Sequence, residues 1–303
     1  MNLPTCSLSI TVARTDIPFM MQTIPHLVRS CQFEFVERVL FLETAPLSSL
    51  FRHRPGIGSF EDLRDRANQL LQMGIIDRIV EIDYSMSIRK PLYQKYFGRL
   101  LRETHNHRGA PIYGYMFSLE QVKGDYVLHF DSDMLLHQEP QFSWIQEAVN
   151  VFEQDPSIVF VSPLSGPPTP DGSLKQRGVE YQHDPRGFYR FKDFTSRKFL
   201  VDRRRLAQLL PLKPEWLSWK RRLLSYYTKK SALQNFEIMV SNRMKETEYI
   251  RADLSSSQAW TVHPADHGAA FIQALPQIIQ RVEAGRYPSE QVGDYDLQLE
   301  AWL

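Results

Sequence analysis

Cysteine, net charge and long apolar runs are all scarce in this chain of 303 residues. The two cysteines, Cys6 and Cys31, are too few for a disulfide framework. Both sit in apolar segments, where cysteine acts as a small hydrophobe, and they fit a reducing compartment. No stretch of about 18 apolar residues occurs, so no membrane-spanning helix is expected. The first residues lack the basic start and apolar core of a signal peptide, which makes the cytoplasm the expected location. Glycine-rich phosphate loops are missing as well. Gly56-Ile57-Gly58 has Glu61 where a dinucleotide fingerprint needs its third glycine, and it does not directly follow the first strand. No Walker A pattern and no Gly-x-Ser-x-Gly elbow occurs, which argues against a P-loop NTPase. There is no internal repeat, no low-complexity segment and no clear interdomain linker.

Apolar bulk is present in quantity. The hydrophobic content of 43% suffices for a large core, in one large domain or two small ones. Charge is balanced overall, 36 basic against 35 acidic residues, but unevenly placed. Residues 186–230 hold 14 Lys or Arg against three acids, a net +11, which leaves about −10 for the rest. A solvated basic face would explain this. Concentration in one segment favours a surface for anionic partners: phosphates, acidic glycans or an anionic membrane leaflet. No nucleic-acid partner is expected.

The first half of the chain alternates strand and helix patterns. Residues 7–13 are alternating and β-branched, and predict a strand. Asp16 can cap a helix that begins at Ile17-Pro18. Residues 36–43 predict a second strand, 45–59 a loop, 60–73 a helix ended by Gly74, and 75–84 a third strand. A helix over 111–122 then leads into a fourth strand. This β-α order indicates βαβ units and a parallel sheet. Polar residues (Arg14, Asp16, Glu43, Asp83, Asp131, Asp133) fall at or just after the carboxyl ends of these strands. One ligand cleft along that edge is therefore expected. Beyond residue 140 the pattern is less regular. It gives a helix over 142–152, a strand over 158–162, a strand or hairpin over 186–201, a helix over 235–245, a short strand over 259–262 and an amphipathic helix over 269–284.

The most informative stretch is Gly124-Asp125-Tyr126-Val127-Leu128-His129-Phe130-Asp131-Ser132-Asp133. It reads as a short buried strand that ends in two acids at i, i+2. Carboxylates at such a place are costly unless a cation meets them. A divalent metal carrying a diphosphate is an economical explanation, and hard oxygen ligands suit Mg²⁺ or Mn²⁺. A second Asp-x-Asp, Asp294-Tyr295-Asp296, lies in a polar tail and is expected to be solvated and idle.

His263, just after a predicted strand, is equally readable as a third metal ligand and as an ordinary loop histidine. His267 reads as the latter, and His105 and His107 receive no role. Glu237, near the start of a helix, is either a dipole partner of the first turn or a general base. Residues 212–230, aromatic and basic, fit an amphipathic helix at a membrane interface, a core helix with a basic outer face, or a mobile lid.

With these residues identified, the chain resembles the GT-A glycosyltransferases, most closely their family 2 type, over roughly its whole length. The segment from Asp125 to Asp133 is similar to that family's strand leading into its metal-binding Asp-x-Asp. The helix over 115–122 is similar to the helix before that motif. The resemblance implies an α/β fold, a GT-A (Rossmann-like) α/β/α sandwich with a mostly parallel central sheet. It implies a single domain over 1–303, with 1–134 binding the nucleotide-sugar, 135–268 the acceptor, and 269–303 forming a C-terminal helix and tail. It also implies Mn²⁺ or Mg²⁺ held by Asp131, Asp133 and His263, and a UDP- or GDP-sugar donor contacted by Arg14, Asp16, Glu43, Asp83 and Asp131. Glu237 would be the catalytic base that deprotonates a glycan or lipid-linked acceptor in an inverting hexosyl transfer. Peripheral membrane contact through 212–230 would make the enzyme membrane-associated. A nucleotidyltransferase of the same fold, and a non-catalytic module binding anionic glycan or membrane, are the competing readings.

Overall fold

The computed structural model describes residues 5–47, 51, 56–175, 179–228 and 230–303. Residues 48–50 and 52–55 of the expected loop, and Lys229 of the aromatic-basic segment, lie outside it. The elements of the first half are β1 (Cys6–Val12), α1 (Met20–Cys31), β2 (Glu37–Leu42), α2 (Phe60–Gln72), β3 (Arg78–Glu81), α3 (Met86–Phe97), α4 (Tyr113–Glu120), β4 (Tyr126–Asp131) and β5 (Leu135–Gln138). There follow α5 (Trp144–Gln154), β6 (Ile158–Ser162), β7 (Leu164–Ser165), β8 (Tyr181–Asp184), β9 (Phe188–Phe191), β10 (Lys198–Asp202), α6 (Arg203–Leu209) and α7 (Trp219–Thr228). The last elements are α8 (Phe236–Lys245), β11 (Ile250–Leu254), β12 (Ala259–Val262), α9 (Ala269–Glu283) and α10 (Leu299–Trp302).

Nine strands form one sheet in the order β3-β2-β1-β4-β10-β6-β11-β9-β8. The pairings β3-β2, β2-β1 and β1-β4 are parallel, as the β-α alternation predicts. Beyond β4 the sheet is mixed. The strand β10 runs antiparallel to both β4 and β6, β11 is parallel to β6, and β9 and β8 are antiparallel additions. The expectation of a mostly parallel sheet therefore holds for the N-terminal half only. A second sheet, β5-β12-β7, sits beside the first.

Alternation of side chains sorts the core into two faces. Leu8, Ile10, Leu40, Leu42, Leu128 and Phe130 join α1, α2 and α5 in one cluster. Val39, Phe41, Val127, Phe199 and Val201 join α3, α4 and α8 in the other. A third cluster holds the small sheet against α9 and α10 through Leu135, Trp260, Val262, Phe271, Leu275 and Trp302. The turn that feeds β4 needs glycine, because a Cβ on Gly124 would lie 2.6 Å from the Ser7 amide nitrogen.

Local sequence explains several starts and stops. Ser59 and Asp62 cap α2 reciprocally, with Asp62 N–H donating to Ser59 Oγ at 3.0 Å and Ser59 N–H to Asp62 Oδ2 at 2.7 Å. Asp202 caps α6 by accepting from Arg204 N–H and Arg205 N–H. The expected helix start at Ile17 is replaced by a 3₁₀ turn, Arg14–Asp16, and α1 begins at Met20. The Asp16 carboxylate closes that turn by accepting from Ala13 N–H at 2.8 Å.

Part of the basic excess of residues 186–230 is used within the fold. Arg205 donates to the carbonyls of Phe152, Asp155 and Ile158. Lys192 holds the carbonyls of Met244, Thr247 and Tyr249. Arg203 donates to the carbonyls of Val122 and Gly124. Arg186 and Arg190 pair with Asp155 and Asp184. Lys198 is fully buried, donates to the Pro163 carbonyl at 3.0 Å, and has its pKa lowered to about 7 by burial. These cations satisfy carbonyls and acids of the fold. Of the exposed ones, Arg204 and Lys213 pair with Asp125 and Glu246, while Lys220 and Arg221 lie on α7.

Candidate active site

The strand β1 pairs with β2 on one side and β4 on the other, so the strand order reverses between β1 and β4. Ligands of open α/β sheets bind outside the carboxyl ends at such a switch point. A cleft of about 430 Å³ opens there, within the roughly 300–1,000 Å³ of small-molecule sites. Asp16, Glu43, Asp131, Asp133, Glu237 and His263 all line it. Arg14 and Asp83 do not. Asp83 is exposed, accepts from Ser85 N–H at 2.7 Å, and its carbonyl takes the Tyr113 hydroxyl, so it organises the turn into α3.

Asp133 is the centre of the site. Its Oδ2 accepts from His267 Nε2 at 2.9 Å and lies 3.4 Å from His263 Nε2. Its Oδ1 is buried and has no hydrogen-bond partner among the described residues. Burial opposes ionisation of this carboxyl. The charge of His263 and hydrogen bonds from both imidazoles outweigh burial and hold it well below the usual carboxylate range. Burial likewise disfavours the His263 imidazolium, but Asp133 and Asp296 raise its pKa above that of a free imidazole. Asp16 sits nearby, and burial followed by repulsion from Asp133 pushes its carboxyl up to about 6.

Asp131 faces a different way. Its Oδ1 accepts from the Tyr115 hydroxyl at 3.2 Å and lies 3.3 Å from His129 Nε2. His129 in turn stacks on Phe199 and meets the edge of Tyr115. Asp131, Asp133 and His263 line one cleft, with Asp131 held by Tyr115 and Asp133 by His267. Among the described residues, no group of three or more His, Cys, Asp or Glu side chains is arranged to hold a metal ion by itself. Divalent cations of the magnesium type are usually held by one or two carboxylates plus substrate phosphates and water, without a cage made wholly of protein. The unpartnered Asp133 Oδ1 fits such a site, with Asp131 in the same cleft as a second hard oxygen donor.

Glu237 is fixed from the opposite wall. Its Oε1 accepts from Ser196 N–H at 2.8 Å and from Ser196 Oγ at 3.1 Å. The helix that carries it is anchored by Asn106, whose Nδ2 donates to Asn235 Oδ1 at 2.6 Å. Asn106 Oδ1 also accepts from Arg108 N–H and Ala110 N–H, which shapes the loop at the cleft rim. Glu43 is buried and accepts from the Tyr84 hydroxyl and Ala45 N–H, both at 2.8 Å.

Several lining residues lie outside the sequence-based site. His267, by its sequence an ordinary loop histidine, has its ring packed by Phe19 and Phe271 against Asp133. Asp296, expected to be idle, reaches the site. It lies 3.7 Å from both His263 Nδ1 and Arg197 NH1, because the tail returns to the site through His263 N–H to Tyr295 O and Leu297 N–H to His263 O. Arg197 Nη1 lies 3.1 Å from His263 Nδ1, and the guanidinium lies 5.8 Å from the Tyr295 ring centre. It is the cation of the 186–230 segment that reaches the cleft among the described residues. Leu297, Leu299 and Trp302 in the tail were the available signal that it packs back on the protein.

No family model matches the chain, and no curated protein matches it. Similar solved structures include a mannosyltransferase, PcManGT, from Pyrobaculum calidifontis in complex with GDP-Man and Mn²⁺, at 12% identity and TM-score 0.39 over 70% of this chain and 48% of that one. Another is S. aureus TarS (residues 1–349) in complex with UDP-GlcNAc, at 9% identity and TM-score 0.43 over 91% and 66%. A third is described as a mycobacterial protein, at 13% identity and TM-score 0.42 over 92% and 73%. The chain spans about half the length of the first of these and 66% of the second. With every TM-score below 0.5, these likenesses do not place it in a family.

Proposed function

We propose that this chain is a GT-A-type glycosyltransferase that moves a sugar from a nucleotide-diphosphate sugar to an acceptor hydroxyl, with inversion. The observation that carries the reading is the buried, unpartnered Oδ1 of an ionised Asp133 at the sheet's switch point. The charge of His263 offsets part of the cost of that anion, but a buried oxygen without a hydrogen bond still costs free energy unless a ligand meets it. Asp133 and Asp131 would hold Mn²⁺ or Mg²⁺, which when bound supplies Lewis-acid neutralisation of charge on a departing diphosphate.

The protein's own groups account for the remaining steps. Arg197 places a fixed positive charge in the same cleft, where it stabilises negative charge as the leaving group departs. Glu237, oriented by Ser196, accepts the proton of the acceptor hydroxyl. The acceptor oxygen forms its bond to the anomeric carbon while the bond from that carbon to the diphosphate breaks. The electron pair leaves with the nucleoside diphosphate, and the proton ends on Glu237. His263 and His267 fix the orientation of Asp133.

Product analysis tests the reading. When the protein is incubated with UDP- and GDP-sugars and Mn²⁺ or Mg²⁺, at least one donor should yield free nucleoside diphosphate in step with sugar transfer. Release of pyrophosphate instead would mark a nucleotidyltransferase. Turnover undiminished by excess chelator would refute the metal role.

A further inference from the structure

Among the described residues, α7 is the element whose exposed side is apolar and aromatic. Trp219 is 72% exposed, Leu223 and Leu224 are each 56% exposed, and Tyr227 is 82% exposed. At 100° per residue, positions 219, 223 and 227 form one stripe, with Leu224 beside it. The buried Ser225 marks the opposite, inward side and hydrogen-bonds the Arg222 carbonyl. For α7 this geometry removes the core-helix reading, because its apolar side faces outward, while Leu212 and Trp216 before it pack on the core.

The charge around the stripe identifies what covers it. Lys220, Arg221 and Lys230 are exposed, and no acidic residue occurs between Trp216 and Lys230. Lys220 Nζ lies 5.7 Å from the Trp219 ring centre, and Arg222 lies over Trp216 at 4.6 Å. Cations interleaved with Trp, Leu and Tyr on a short helix match the boundary between headgroups and acyl chains of an anionic leaflet. A protein partner would need its own acids set against this pattern, whereas an anionic bilayer meets it without specific geometry. Among the described residues no helix is long and apolar enough to cross a membrane. The contact therefore lies in the interface plane.

We infer that α7 docks the protein on an anionic lipid bilayer. The helix is tied to the cleft rim by short links. Leu217 N–H donates to the Ala232 carbonyl, His107 N–H donates to the Leu233 carbonyl at 2.9 Å, and Asn106 bonds Asn235 two residues before Glu237. A bilayer under α7 thus lies beside the wall of the cleft that carries Glu237. The inference rests on the surface alone and does not depend on the proposed reaction.

Vesicle co-sedimentation of the full chain tests it, with phosphatidylcholine vesicles made with and without phosphatidylglycerol. The protein should pellet with the anionic vesicles, less so as salt rises, and not with the neutral ones. Trp219→Ser with Tyr227→Ser, and separately Lys220→Glu with Arg221→Glu, should each weaken binding by about tenfold or more. All four side chains are exposed, so thermal melting should match wild type. The inference is overturned if wild type ignores anionic vesicles or if both variants pellet as wild type does. It is equally overturned if sedimentation velocity shows a wild-type dimer that the Trp219→Ser, Tyr227→Ser variant dissociates, since a second copy would then cover the stripe.

Discussion

Asp133→Asn should lower donor-dependent sugar transfer by about 10²–10³-fold, the scale of losing one preorganised group that stabilises transition-state charge. The melting temperature should fall, because His263 loses its buried counter-charge, but the protein should remain folded. Asparagine keeps the shape of Asp133 and an oxygen that accepts from His267, now 2.9 Å away. What it removes is the negative charge and the anionic Oδ1, the atom without a hydrogen-bond partner among the described residues. Asp133→Ala is a poorer probe, because it removes the oxygen that accepts from His267 and leaves a cavity as well as deleting the charge. The measurement is kcat/KM for the donor across a Mn²⁺ titration, with a melting curve on the same sample. A folded Asp133→Asn protein with wild-type kcat/KM and wild-type Mn²⁺ dependence would remove Asp133 from the metal site.

Glu237→Gln should reduce kcat by about 10²–10⁴-fold, the usual range for loss of a positioned general base. Donor affinity should change little. Glutamine keeps an oxygen to accept from Ser196 N–H and Oγ, now at 2.8 and 3.1 Å, so the geometry of the wall is retained. Only the capacity to take a proton is lost. Steady-state kinetics with donor and acceptor varied separately resolve the two roles. A kcat within about twofold of wild type would leave Glu237 as the acid that complements the first turn of α8.

The contrast between Asp133 and Asp296 shows what was legible in the chain. Asp131 and Asp133 end an apolar, β-branched run, so the strand, its burial and its carboxyl end could be read from local pattern. Asp296 sits among polar residues. Its approach to His263 depends on Leu297 and Trp302 packing into the third cluster, a tertiary event that no local period reports. His267 is the same case, since Phe19 from the start of α1 and Phe271 from α9 place it. Arg197 was hidden by number. It is one of 14 cations in its segment, and only the fold separates the one facing the cleft from those holding carbonyls.

The elements divide along similar lines. The strands β6 and β12 match their expected bounds, because a short β-branched or aromatic run marks each. The helix α3 had no expectation, since Pro91 lies inside it and its apolar residues do not form a clear stripe. The strand β11 was hidden because Ile-Arg-Ala-Asp-Leu reads as polar. In the fold Arg251 and Asp253 are both buried and neutralise each other at 2.8 Å. The metal ligands were only partly legible for a related reason. Asp-x-Asp spacing gives two acids near one cleft, but Tyr115 and His129 decide where Asp131 points.

Soaking crystals with Mn²⁺ and a UDP- or GDP-sugar, and collecting anomalous data at the manganese edge, tests the central claim most directly. The account predicts one manganese peak bonded to Asp133, with the donor diphosphate on the same ion and within reach of Arg197. A nucleotide bound elsewhere, or an ion bound away from Asp133 in crystals that hold the donor, would contradict it.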